Sequence, residues 1–224
     1  MKKGRLIVIE GTDGSGKATQ MKILENKLKK NGHKVKTADF PQYGKPSSYF
    51  AEKYLRGEYG TASDVGPYAG SMFYALDRYD KSFEMRKWLE EGYIVICNRY
   101  VSANMGHQAG KIKSRKERER FLEWLSDLEY KIFSIPKPDM TLLLFMPPVL
   151  AQGLVDGKAP REYISGKKRD IHEADIDHLN KASEAYLAVA KKYKWKILEC
   201  TKNGSLLPRE EIHEKILKAI SSII

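Results

Sequence analysis

Short strand-like runs, most of them rich in apolar residues, recur along the chain at Leu6 to Ile9, Lys34 to Ala38, Tyr93 to Cys97, Met140 to Phe145 and Trp195 to Leu198. Between them, apolar residues return at helical spacing, so the runs read as strands and the intervals as helices. Strands that alternate with helices predict a parallel α/β sheet. Gln20 to Leu24 continue a helix that stops near Asn31-Gly32, and an amphipathic stretch from about Pro67 to Glu91 stops at Gly92. Ligands of such sheets collect beyond the C-terminal strand ends. Here those ends open into loops starting at Glu10, Asp39, Asn98, Met146 and Glu199.

The first of these loops carries chemistry. Gly11-Thr12-Asp13-Gly14-Ser15-Gly16-Lys17-Ala18 follows the phosphate-loop pattern GxxxxGK[S/T] except at its last position, where alanine replaces the hydroxyl. Its glycines let backbone N–H groups turn inward on a phosphate, the following helix adds partial positive charge, and Lys17 bridges the outer phosphates. The expected ATP contacts are therefore Gly11, Thr12, Gly14, Ser15, Gly16, Lys17, Ala18 and Thr19.

With 224 residues and 42% hydrophobic content, the chain has enough material for one domain spanning residues 1–224. No stretch approaches the roughly 18 apolar residues of a membrane span, and Met1-Lys2-Lys3-Gly4 leads straight into a strand, so a cytoplasmic protein without membrane contact is expected. Cys97 and Cys200 each close an apolar run and read as reduced core residues. The net charge of +11 suits a polyanionic partner. The densest basic stretch, Lys111 to Arg120, precedes Phe121, Leu122, Trp124, Leu125 and Leu128 at helical spacing and reads as a solvated helix start. Nucleic acid and nucleotide both qualify, but no nucleic-acid signature accompanies the charge, which by itself reads as an ordinary solvated surface. From Gln152 to Arg169, glycines, Pro160 and Lys158, Arg161, Lys167, Lys168 and Arg169 suggest a short basic lid at about 151–173 that closes over phosphates.

The motifs IEGTDGSGKATQ (9–20), FPQYG (40–44), YALDRYD (74–80), NRYVSAN (98–104), PKPD (136–139) and RDIHEAD (169–175) occur in this order. Together they resemble the thymidylate kinases, a family of P-loop nucleoside monophosphate kinases. The resemblance implies a three-layer α/β/α P-loop kinase fold around a five-stranded parallel sheet. It also implies transfer of a phosphoryl group from ATP to dTMP with Mg2+, by a homodimer.

Carried over position by position, the resemblance gives Asp13 to the sugar 3′-hydroxyl and the acceptor phosphate, although an N-terminal helix charge would equally suit the dipole. Tyr74 and Arg78, four residues apart on one helix, share a face. They correspond to the ring that stacks on thymine and the arginine that contacts base or phosphate; core packing is the other reading of Tyr74. Arg99 is an arginine fork for the acceptor phosphate. Asn104 reads the pyrimidine edge or caps its loop. Phe40, Pro41 and Tyr43 form the acceptor-site loop, unless Phe40-Pro41 merely ends a strand. His107 stands near the sugar. Lys17, Asp13, Arg99, Arg161 and Arg169 are the expected catalytic set.

The departures from the family pattern matter too. Ala18 lacks the usual magnesium-binding hydroxyl, Asn98 replaces the aspartate of the Asp-Arg-Tyr or Asp-Arg-His triplet, and Gln42 stands where arginine is common. His107 and His172 replace tyrosines of some members. Magnesium is then expected on phosphate oxygens and water, with Asp13 and Glu173 as the acids and Glu10 as a further candidate. These changes leave open another pyrimidine nucleotide such as dUMP as acceptor, or a catalytically weakened nucleotide-binding regulator.

Overall fold

The computed structural model describes residues 3–156 and 176–224. Strands β1 (Arg5–Glu10), β2 (Val35–Asp39), β3 (Ile94–Asn98), β4 (Met140–Phe145) and β5 (Lys196–Glu199) form one sheet in the order β2-β3-β1-β4-β5. Every pairing in it is parallel. All the strands expected from the apolar runs are present, with bounds shifted by about one residue.

Because side chains alternate across a strand, each strand feeds both layers of helices. Ile7 and Ile9 of β1 and Ile96 of β3 pack with Leu24 and Leu28 of α1 (Lys17–Lys30) and with Ile212, Ile216 and Ile220 of α8 (Arg209–Ile220). Their neighbours Leu6, Val8, Val95 and Cys97 pack the other way. There they meet Met85 of α3 (Ala62–Glu90), Val101 and Met105 of α4 (Val101–His107), and Phe121 and Leu125 of α5 (Arg115–Asp127). On the same side, Tyr186 and Ala190 of α7 (Ile176–Lys192) cover Leu143 of β4. Each fully buried Leu or Ile contributes about 1.5–3 kcal/mol to this three-layer arrangement. Cys97 and Cys200 are free thiols inside it, as expected.

The long helix α3 starts earlier than the amphipathic pattern indicates. Thr61 and Asp64 form a reciprocal capping box, the backbone leaves helical geometry at Gly66 (φ 71°, ψ 171°), and the main helix resumes at Pro67, the predicted start. The basic stretch behaves as a solvated helix start: Ser114 caps α5, and Lys113 to Glu117 are exposed. After α5 the chain makes a π-helical turn, Leu128–Ile132, that carries Glu129 into the interior. An unanticipated hairpin follows β5: β6 (Thr201–Lys202) and β7 (Ser205–Leu206) flank Asn203-Gly204, whose positive φ angles suit a tight primed turn.

Two shorter helices border the strand ends, α2 (Tyr49–Leu55) and α6 (Pro148–Asp156). Helix α6 takes up the first residues of the stretch read as a flap. The remainder, with Arg161, Arg169, Asp170, His172 and Glu173, lies outside the described residues. Among the described residues, no helix is long and apolar enough to cross a membrane.

Candidate active site

The glycine-rich loop leaves the buried end of β1 and turns directly into α1. Gly14 has a φ of 86°, and a Cβ built there would lie 1.9 Å from the Ala151 carbonyl oxygen of α6. A side chain would therefore push loop and helix apart. Gly16, at φ 83°, caps α1, whose first turn contains no acidic residue to oppose its positive pole. Lys17 is buried, and its Nζ donates to the Thr12 carbonyl at 2.8 Å. Inside the loop, Thr12 Oγ1 and Ser15 Oγ are buried without a hydrogen-bond partner. Such groups cost free energy until something polar fills the loop. Ala18 and Thr19 lie exposed along the same cleft.

Arg99 is the hub between this loop and the sheet. Its φ of 63° places a non-glycine residue in the left-handed region, at a cost of about 1–3 kcal/mol. Its Nη2 donates to Asp13 Oδ1 at 2.6 Å, and its Nη1 lies 3.0 Å from His107 Nε2 and 3.4 Å from the Tyr186 hydroxyl. Since guanidinium only donates, the contact with His107 requires Nε2 to accept. Behind Arg99, fully buried Glu10 accepts from Tyr100 N at 2.9 Å, Ser102 Oγ at 2.7 Å and Tyr186 Oη at 3.1 Å. Tyr186 reaches this position because Gly106 leaves its ring room; a Cβ there would stand 2.5 Å from ring carbons. Burial disfavours the charge of Arg99, but Asp13 foremost, then Tyr186 and Glu10, outweigh it and hold the guanidinium well above its usual pKa.

A second cleft opens on the other side of Arg99. It encloses about 570 Å³, counting space open to solvent, a size suited to a small ligand. Phe40, Pro41, Tyr43, Tyr74, Arg78, Asn104 and His107 all line it, as their sequence positions led one to expect. Asn104 is buried and donates Nδ2 to the Ser71 carbonyl at 3.1 Å, so its amide has a fixed orientation. Tyr74 meets Tyr54 edge-on, at a centroid distance of 6.2 Å. Both readings of Tyr74 are thereby joined: one ring packs against its neighbour and lines the cleft. Phe40 likewise serves core and cleft, packing on Tyr100 at 5.8 Å.

Of the two contacts expected of Arg78, base or phosphate, its geometry is compatible with the base. Its side chain is 2% exposed and gripped by Glu129, Nε to Oε2 at 2.7 Å and Nη2 to Oε1 at 2.5 Å, with Nη1 on the Tyr100 carbonyl at 3.3 Å. A guanidinium held this way borders the cleft as a fixed donor and cannot swing toward a phosphate. Gln42, where arginine is common, instead ties its loop to α3, with its backbone N–H and Nε2 both donating to Asp77, at 2.8 and 3.1 Å.

Three participants escape a reading of the sequence alone. Glu129 is one. Gln108 is another; it lines the second cleft with its Oε1 buried and unpaired. The third is Asp39, beside the phosphate loop, whose Oδ1 accepts from Asn98 Nδ2 at 2.8 Å. Asp39 keeps an exposed side, yet the cleft walls crowd its carboxylate. That desolvation raises its pKa, against the opposing pull of Asn98, Arg99 and Lys17. Only its place at the end of a predicted strand signalled it. Of the expected metal pair, Asp13 is ion-paired with Arg99, and Glu173 lies outside the described residues.

A family model described as thymidylate kinase matches residues 9–216. The chain is similar to the thymidylate kinase of Mycobacterium tuberculosis, with 33% identity over 83% of this chain and 85% of that protein. It is also similar to the thymidylate kinase of Plasmodium falciparum, with 27% identity over 99% of this chain and 92% of that one. Among solved structures, thymidylate kinase from Candida albicans has the same fold, with a TM-score of 0.70 and 22% identity over 98% of this chain and 92% of that chain.

Proposed function

The chain belongs to the thymidylate kinase family, the ATP-dependent kinases that convert dTMP to dTDP, and from that premise we propose how its residues divide the work. One observation carries the assignment of the clefts. The phosphate-loop cleft and the second cleft share a wall formed by Asp13, Phe40, Tyr43 and Arg99. A donor in one and an acceptor in the other would meet at that wall, as in-line transfer requires.

ATP occupies the phosphate loop, where Lys17, the loop amides and the start of α1 hold its phosphates. The dTMP base enters the second cleft among Tyr74, Arg78, Asn104 and Gln108. Asn104 and Gln108 offer amide groups to the pyrimidine edge, and the unpaired Gln108 Oε1 can accept from the ring N–H of thymine. Arg99, oriented by Asp13, holds the 5′-phosphate. An oxygen of that phosphate attacks the γ-phosphorus of ATP, the new P–O bond forms as the bond to the bridging oxygen breaks, and ADP leaves. The attacking oxygen is already anionic, so the chain needs no nucleophile and no covalent intermediate, only positioning and charge neutralisation. Arg161 and Arg169 are the bases proposed to cover the moving group. What supports them is that the connection carrying them joins α6, packed on Gly14, to α7, whose Tyr186 touches Arg99.

The family's use of ATP implies a divalent cation. The carboxylates of Asp13 and Asp39 beside the loop and the buried, unpaired Asn98 Oδ1 are oxygen donors that suit a hard cation such as Mg2+ with its water shell. Among the described residues no group of three or more His, Cys, Asp or Glu could hold a metal by itself. Phosphate oxygens and water would hold much of the ion's shell, and among the described residues Asp13 and Asp39 are the acids bordering that cleft. When bound it neutralises phosphate charge. A homodimer is supported by the apolar stripe Leu76, Tyr79 and Phe83 on α3, exposed by 42%, 38% and 52%, since a helix stripe can pair with its own copy about a twofold axis.

The test is a coupled assay of ADP release with ATP, Mg2+ and each nucleoside monophosphate in turn. The expected result is turnover with dTMP exceeding that with dUMP, and its loss in Lys17→Ala. Preference for another monophosphate would overturn the assignment of the second cleft.

A further inference from the structure

The departure at position 98 has a counterpart one strand away. β2 and β3 run side by side, and Asp39 and Asn98 are register partners at their C-terminal ends, beside the phosphate loop. Where the family pattern has an aspartate on β3, this chain has its carboxylate at the same level on β2. The two side chains are joined by the 2.8 Å bond from Asn98 Nδ2 to Asp39 Oδ1. That bond also fixes the amide: the reverse orientation would set oxygen against carboxylate, so the Asn98 oxygen must face away from Asp39. This oxygen is buried and has no donor. A carboxylate and an orphaned amide oxygen thus stand together, beside a loop whose residue 18 has no hydroxyl to offer.

The Asn98 oxygen without a donor, beside a carboxylate that can accept more than the one bond from Asn98, suits a shell of cation-bound water, whose hydrogens are strong donors. We infer that Asp39, oriented by Asn98, supports the divalent cation that accompanies ATP by accepting from its bound water, the acidic function having moved from β3 to β2. Asp13, drawn to Arg99, is left to organise the acceptor side. The inference rests on the kinase reading above, with Asp39 as a positioning residue that acts through water.

The experiment titrates Mn2+ into the full chain in the presence and absence of ADP, following free Mn2+ by electron paramagnetic resonance. Metal-free ADP affinity is measured separately by calorimetry. Asp39→Asn is nearly isosteric and is expected to weaken Mn2+ binding to the ADP complex about tenfold, the scale usual for an outer-sphere partner of a metal, while metal-free ADP affinity holds or improves. The exchanged variant Asp39→Asn/Asn98→Asp returns the carboxylate to β3 and is expected to recover most of the loss, which a merely structural role for Asp39 would not produce. Unchanged Mn2+ affinity in Asp39→Asn overturns the inference. So does an equal loss of metal-free ADP affinity, or failure of the exchanged variant to recover. If the unaltered chain releases no ADP from ATP and dTMP, the kinase reading itself has failed; if it does and Asp39→Asn binds Mn2+ normally, only this inference has.

Discussion

The buried pair of Arg78 and Glu129 allows a sharp test of how this site is built. Glu129→Leu removes the carboxylate and leaves a guanidinium with 2% exposure, unable to shed its proton. Two charge-assisted hydrogen bonds, at 2.7 and 2.5 Å, vanish from a buried guanidinium. Breaking a buried pair in this one-sided way costs about 3–5 kcal/mol. Domains are stable by about 5–15 kcal/mol, so a fifth or more of the total is at stake. At about 2–4 °C per kcal/mol for a chain of this size, the midpoint should fall by about 6–20 °C. Removing both charges in Arg78→Met/Glu129→Leu should restore most of the stability, because neither ion is then stranded. That double variant should still bind dTMP poorly, because the cleft has lost its fixed donor. Urea unfolding of the parent, both single variants and the double variant gives the coupling energy directly. A Glu129→Leu variant within about 1 kcal/mol of the parent, or a double variant no more stable than it, would refute the reasoning.

Three further outcomes follow from the structure. Burial pushes the Lys111 ammonium down to about 8, from an ordinary 10.5. Between those values the unfolded chain binds the proton and the folded chain does not, so Lys111 costs stability at pH 7 and the cost fades toward pH 10; Lys111→Met should lose its relative advantage over the parent by about 2 kcal/mol across that window in pH-dependent unfolding. Gly14→Ala should cost at least about 2 kcal/mol and abolish most ATP binding in calorimetry, since its Cβ meets the Ala151 carbonyl at a strained φ. Cys97 and Cys200 are both buried, and burial pushes the Cys97 thiol above its usual range and the Cys200 thiol up to about 12. Neither should react with a thiol reagent in the native protein, and both should react in denaturant.

Much of the fold was open to a reader of the sequence because its signals are local. Strands such as those over Leu6 to Ile9 and Leu142 to Phe145 announce themselves by unbroken apolar runs, which a sheet covered on both faces demands. Gly11 to Ala18 identify the phosphate loop because its function is carried by backbone, glycine and one lysine within a few residues. The hairpin at Asn203-Gly204 had a local signal as well, but its strands are too short to stand out as apolar runs.

The amino-acid order by itself determined the parallel α/β sheet, the place of the phosphate loop and the irregular residues Ala18 and Asn98. Tertiary structure alone decided what those irregularities mean. Glu129 lies 51 residues from Arg78, Tyr186 lies 87 from Arg99, and Asp39 lies 59 from Asn98. No periodicity links such positions, because their partnership is set by strand order and by which face each helix lays on the sheet. Asp39 is the clearest case: an acid at a strand end carries no information until β3 inserts between β1 and β2 and brings its Asn98 alongside. Proximity across the sheet is a property of the folded chain, and it turns an apparent loss at position 98 into a displacement.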